Sequence, residues 1–249
     1  MFTTRRSRTS RRTHAHIRAP RRGLLALAGL ALAATATMAT PAGAATAAPA
    51  AEPRGGDSTF ADCPSRAELP EGADPEKWRC EVMSATGSLK LGRISIPLKK
   101  PVTVTHAEGR IDGEFHQVFG GLKAAPIRVP RTPLSLSLRY GGYFDFHTND
   151  QRMGELDLTF GLSAPGLPRR CSIGGGSQDA VHLILKAVGE PEPGEMPEAV
   201  DSSFTVPRTS GCGPFGPVLD KAIDLPSPSG ENAISLNGER QIRPYAELP

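Results

Sequence analysis

The sequence predicts an all-β fold, an immunoglobulin-like or related antiparallel β-sandwich of about nine or ten short strands with one short helix near residues 216–223. Three observations carry that expectation. Between the cysteines, apolar residues recur at every second position, the period of a strand with one buried face. The chain holds 27 Gly and 24 Pro, which interrupt the alternation often enough to keep strands short. Only residues 216–223 carry a helical stripe, with Pro217 suited to a first turn and Val218, Leu219 and Ala222 on one face. The helices that a parallel α/β architecture needs have no counterpart in the pattern.

Residues 1–22 hold eight arginines and no acid, and a Leu/Ala-rich run follows to Met38. This reads as a signal peptide over residues 1–44. The run falls short of the roughly 20 apolar residues of a membrane span, and Ala42-Gly43-Ala44 offers the small residues of a cleavage site. Arg21-Arg22-Gly23-Leu24-Leu25 loosely resembles a twin-arginine export signal, and the general secretory route explains the arginines equally well. Of the 29 basic residues, eight lie in this segment, whereas all 26 acids follow it, so the remainder carries a net charge of −5. A mildly acidic exported chain gives no reason to expect nucleic acid as a partner, or stable membrane insertion after signal cleavage. Residues 45–58 are rich in Ala and Pro without apolar periodicity and are expected to form a flexible lead. Residues 59–249 then make a single disulfide-braced sandwich domain.

Four cysteines, Cys63, Cys80, Cys171 and Cys212, are an even number in an exported chain and predict two disulfides. Pairing Cys63 with Cys80 and Cys171 with Cys212 closes the shorter loops and is favoured over the other two connectivities. The spacing is not that of a zinc site.

Leu89 and Leu91, then Ile94 and Ile96, predict two strands within residues 82–98, closed by Pro97. Residues 125–129 and 134–138 predict two more around Pro130 and Pro133. Residues 143–147 and 155–160 predict a hairpin through the polar stretch 148–153. Residues 179–188, 204–206, 233–236 and the stretch around Ile242 complete the set. Residues 190–198, rich in Pro and Glu, read as a long exposed loop.

Several phrases resemble a family of uncharacterised secreted proteins of high-GC actinobacteria: Trp78-Arg79-Cys80-Glu81-Val82, Tyr140-Gly141-Gly142-Tyr143-Phe144-Asp145-Phe146-His147, Gly211-Cys212-Gly213-Pro214 and Leu225-Pro226-Ser227-Pro228-Ser229-Gly230. The resemblance covers most of the chain after the signal peptide. It implies an extracellular location and carries over no catalytic residue.

Chemistry concentrates in residues 102–119, where His106, Glu108, Arg110, Asp112, Glu114 and His116 share one parity. On one uninterrupted strand all six would line a face. Residues two apart on a strand lie about 6–7 Å apart, so His106, Glu114 and His116, joined by Asp145 and His147 from a partner strand, make a candidate site for a divalent metal ion. No other cofactor is expected. Two readings compete with this one: a solvated sheet face of mixed charge, and a turn near Asp112-Gly113 that would split the row into two strands.

Enzyme motifs are wanting. The pattern G-x-S-x-G fails at residues 175–179, where the final glycine is missing, and H-E-x-x-H, S-x-x-K and a phosphate loop are absent from the sequence. Carboxylate pairs for glycoside hydrolysis can be drawn from Glu108, Asp112, Glu114, Glu155 and Asp157, but 26 acids supply such pairs by chance. Tyr140, Tyr143 and Phe144 surround Gly141-Gly142 and are candidate ligand-binding rings for a sugar or peptide, unless at least two of the three are core. Trp78 is expected to pack on the disulfide of Cys80. The expected function is a secreted, non-catalytic binding or cell-envelope interaction module of unknown ligand. The alternative is a metal-dependent or carboxylate-based extracellular hydrolase using the strand from His106 to His116.

Overall fold

Strands that alternate in polarity bury one face each, and here they do so in one continuous antiparallel sheet that doubles over on itself. A computed structural model of the chain describes residues 58–176, 179–191 and 195–248. The expected signal peptide (1–44) and nearly all of the expected lead (45–58) lie outside the described residues. In chain order the strands are β1 (Arg79–Leu91), β2 (Ile94–Ile111), β3 (Glu114–Ala124), β4 (Ile127–Arg128), β5 (Ser135–Asp145), β6 (Gly154–Ser163), β7 (Ser172–Ile173), β8 (Val181–Val188), β9 (Glu198–Asp201), β10 (Thr209–Ser210) and β11 (Ala233–Pro244), with one α-helix among the described residues, α1 (Gly216–Ile223). The order across the sheet is β10-β7-β6-β8-β9-β11-β1-β2-β3, with β5 on β6 and β4 on β5.

The fold is all-β and antiparallel, as the period-two pattern predicts, and its two layers belong to one sheet. β8 pairs with β6 through Val181–Leu185 and with β9 through Lys186–Val188, so a single strand carries the sheet from one layer to the other. Leu89, Leu98 and Ile234 from one layer share a core with Leu138, Leu158, Phe160 and Leu183 from the other. At the opposite edge, Phe119 of β3 stacks on Tyr140 of β5 with ring centroids 3.8 Å apart.

Several element boundaries differ from the expectation. The strands number eleven among the described residues, and β1 and β2, at 13 and 18 residues, are long rather than short. Pro97 does not close β2. The β3 strand pairs with β2 only from Val102 onward, so one side of β2 is open at Pro97, where a proline is tolerated. Residues 204–206 form no strand; Val206 makes an isolated bridge to Ser227. The expected loop ends at Glu198, where the strand β9 (Glu198–Asp201) begins, and β9 has no counterpart among the expected strands. The helix lies at the expected residues, but its buried positions are Asp220 and Ile223, while Val218 of the expected apolar stripe is 66% exposed.

Asp112 and Gly113 both have positive φ, 52° and 89°, the geometry of a tight two-residue hairpin turn. The row of polar residues is therefore split between β2 and β3. The turn also sets register, with Glu108 opposite Gln117, Gly109 opposite His116 and Ile111 opposite Glu114.

Both disulfides form as the shorter-loop pairing predicts, Cys63 with Cys80 and Cys171 with Cys212. Cys80, Val82 and Ala107 face a second, smaller core with Phe60, Trp78 and Tyr245. Tyr245 closes it by donating its hydroxyl to the Pro64 carbonyl at 2.7 Å. Trp78 belongs to this cluster, as its neighbouring cysteine suggests. Among the described residues no helix is long and apolar enough to cross a membrane.

Gly109 leaves room for Trp78: a Cβ there would stand 2.5 Å from the indole Cδ1. Gly109→Ala is expected to lower stability by about 1–3 kcal/mol, the usual cost of overpacking. Because Trp78 is the sole tryptophan, urea unfolding followed by its emission measures both the loss and the displacement of the ring.

Candidate binding site

The alternation of β1 places Arg79, Glu81, Met83 and Ala85 on its inner face, and these residues line a cavity of about 520 Å³ between the two layers. A space of this size suits a small organic ligand. Much of its wall is apolar and comes from both layers: Val102, Val104 and Leu236 on one side, Leu138, Leu158 and Leu183 on the other. Toward the Arg79 end of β1 the lining turns polar, with Arg79, Glu81, Glu108, His147 and Arg240.

That polar wall is set by register. Arg79 stands opposite Glu108, and Glu81 opposite His106. Glu81, His106 and Glu108 are all buried, at 5%, 0% and 6% exposure, and one ligating atom from each falls within 4.8 Å of the others. Arg79 donates from Nε to Glu108 Oε1 at 2.7 Å and from Nη2 to the same oxygen. Glu108 Oε2 faces His106 Nε2 at 3.4 Å and Gln117 Nε2 at 3.3 Å. Gln117 then ties the layers together, its Oε1 accepting from the Phe146 amide at 2.9 Å. The His106 ring lies 5.3 Å from Phe146 and 6.0 Å from Phe144, and its Nδ1 meets no hydrogen-bond partner among the described residues.

The two carboxylates are pushed in opposite directions. Burial raises Glu108, but the hydrogen bonds from His106 and Arg79 and the charge of Arg79 outweigh it, bringing its pKa to about 2. Burial also raises Glu81, and there it prevails over the nearby His106 and arginines. The ion pair of Glu81 is a loose one, to Arg240 Nη1 at 3.8 Å.

Of the predicted metal set His106, Glu114, His116, Asp145 and His147, only His106 joins this cluster. Glu114 and His116 occupy register positions opposite Ile111 and Gly109, one residue out of phase with His106 and Glu108, so they lie on the other face of the hairpin. Asp145 is engaged by Arg152 Nη2 at 2.6 Å and by the His147 amide at 2.8 Å. The His147 ring stacks on Phe115 at 4.6 Å and lines the cavity. Of the predicted ligand-binding rings, Tyr140 and Phe144 pack against the core, leaving Tyr143, 43% exposed, at the surface near His182. The sequence reading gives Glu81 and Arg79 no role. Their signal is that two charged residues hold the same parity as Met83 and Ala85, positions at which an apolar residue is expected.

Two opposite pH effects follow. Glu108 has a folded pKa below its unfolded value of 4.5, so its stabilisation is complete above about pH 4.5 and is lost as pH falls toward 2. The loss is on the order of 2 kcal/mol, allowing for Arg79 being half-exposed. Glu81 has a raised pKa and binds its proton more readily in the folded state, so its contribution makes stability decline as pH rises above 4.5. Chemical denaturation across pH 2–8, in chelator-treated buffer, is expected to show Glu108→Gln flattening the acid limb and Glu81→Gln raising stability at neutral pH.

No family model, curated protein or solved structure matches the chain, and the functional reading therefore rests on this geometry.

Proposed function

We propose that the protein is a secreted, non-catalytic binding module that holds one small amphipathic molecule between its two β-layers. The observation that carries this reading is the cavity itself, apolar over much of its wall and charged toward the Arg79 end of β1. An apolar chain or ring would bury against Val104, Leu158 and Leu183, and burial of that surface supplies the affinity. A polar group on the same molecule would meet Arg79, Glu81 and Glu108, which fix its orientation. The two disulfides fit an oxidising compartment, and the Arg-rich, Leu/Ala-rich start of the sequence supports export, which together support a ligand met in the extracellular space or cell envelope. The hydrolase alternative needs His106 and His116 in one site, whereas their positions on opposite faces favour the binding reading.

A fluorescent fatty-acid analogue and a fluorescent alkylamine, titrated separately into the purified protein, test the proposal. At least one is expected to bind saturably, one molecule per chain, with micromolar affinity. Met83→Trp, which grows a side chain into the cavity, is expected to weaken that binding by roughly tenfold or more without altering the far-ultraviolet circular dichroism. The reading is overturned if neither probe binds saturably, or if binding is indifferent to Met83→Trp.

A further inference from the structure

We infer that Glu81, His106 and Glu108 form a binding site for one divalent transition-metal ion, of which zinc is the natural probe. The inference starts from two buried groups that the protein itself leaves poorly satisfied. His106 is fully buried, and the nitrogen that faces the carboxylates, Nε2, meets Glu108 Oε2 only at 3.4 Å, so that nitrogen has no close hydrogen-bond partner of its own. Glu81 is 5% exposed, and its one ion pair among the described residues spans 3.8 Å. A buried carboxylate without close compensation is costly.

The spacing fits a shared ion better than it fits a hydrogen bond. His106 Nε2 and Glu108 Oε2 are 3.4 Å apart, at the weak limit for a hydrogen bond. Two donors each about 2.0–2.1 Å from one tetrahedral ion stand roughly 3.4 Å from each other. Arg79 holds Glu108 through Oε1 and leaves Oε2 turned toward His106, with Gln117 Nε2 its other neighbour at 3.3 Å, so the carboxylate can keep its arginine while a second lone pair of Oε2 ligates. Glu81, directly across the β1–β2 ladder from His106, supplies the third ligand, and two carboxylates balance the charge of a divalent ion. Arg240 is half-exposed and free to turn outward. One imidazole with two carboxylates is a donor set for zinc and its first-row neighbours. Glu81 and Glu108 both line the cavity, which gives the ion an entry path and leaves its remaining position facing the open space.

The surface group of Asp157, His182 and Glu155 offers a contrast. There His182 turns Nδ1 to Asp157 at 2.7 Å and Nε2 to Glu155 at 3.5 Å. The two carboxylates face different nitrogens, so no single ion joins all three residues.

The test is calorimetric titration of zinc into the chelator-stripped protein at neutral pH, with bound metal counted after gel filtration. One zinc per chain is expected, together with a rise of several degrees in Tm. Glu81→Gln and Glu108→Gln are each expected to weaken binding at least tenfold, whereas Glu114→Gln and His116→Ala are expected to leave it unchanged. The carboxamide variants keep the side-chain shape, so the result does not depend on a buried histidine being replaceable. Copper loaded in place of zinc should show one imidazole nitrogen in its electron paramagnetic resonance spectrum. The proposal is overturned by no stoichiometric uptake, by uptake that survives both carboxamide variants, or by uptake that vanishes with His116→Ala. None of these readouts involves the amphipathic probes, so the two proposals fail separately.

Discussion

The register between β1 and β2 is the constraint on which the rest of the structure depends. Side chains on a strand alternate between faces, so a slip of one residue would exchange the inner and outer sets along the whole pair. With Arg79 opposite Glu108 and Glu81 opposite His106, the inner set begins with four polar residues and continues through Met83, Ala85, Val102 and Val104. The outer set, Cys80, Val82 and Ala107, buries itself under Trp78 and Tyr245. Slippage would bring charges against Trp78 and expose the apolar lining to the wrong side. Both faces being buried is what makes this one register far preferable to its neighbours. The Cys63–Cys80 bridge adds a covalent restraint at the same end of β1.

Placing charges inside a fold is expensive, and the cost is met unevenly here. Glu108 has an arginine, a glutamine and a histidine around its two oxygens, an arrangement sufficient to hold it ionised far below neutral pH. Glu81 has no comparable shell. If stability were the sole demand on position 81, a leucine following the pattern of Leu89 would serve better, since an apolar replacement of a poorly compensated buried charge is often neutral or stabilising. Glu81 lines the cavity beside a fully buried histidine, and the proposed ion would supply the compensation that Arg240 at 3.8 Å does not.

How much of this was legible in the sequence follows from which facts are local. Period two declared the fold class, the Asp112-Gly113 pair declared its own turn, and Pro217 marked the first turn of the helix, although Val218 and Ala222 of the expected stripe are exposed. Strand ends were less legible where tertiary context overrides local rules: Pro97 sits inside β2 because β3 is too short to reach it. The row from His106 to His116 looked like one face because parity survives a two-residue turn on paper, while in space the chain reverses and the faces exchange. His106 was legible as a candidate ligand. Glu81 was hidden, because Cys80, Glu81 and Val82 are all buried and a strand buried on both faces shows no alternation. Its partnership with His106 joins residues 25 apart through a ladder register, and register between strands is not written in either strand alone.

The cavity and the carboxylate cluster share a wall, and that adjacency links the two proposals by more than proximity. An ion held by Glu81, His106 and Glu108 would turn its open position toward the space where an amphipathic ligand places its polar group. Any direct contact between them makes their affinities interdependent, and thermodynamic linkage requires the factor by which the ion strengthens the ligand to equal the factor by which the ligand strengthens the ion. A donor such as a carboxylate would gain from the ion, whereas an alkylammonium would be repelled by it and would favour the ion-free pair of glutamates. If both proposals hold, the same wall would select anionic amphipaths when loaded and accept cationic ones when empty, and the metal content of the protein would bear on which class of ligand it retains.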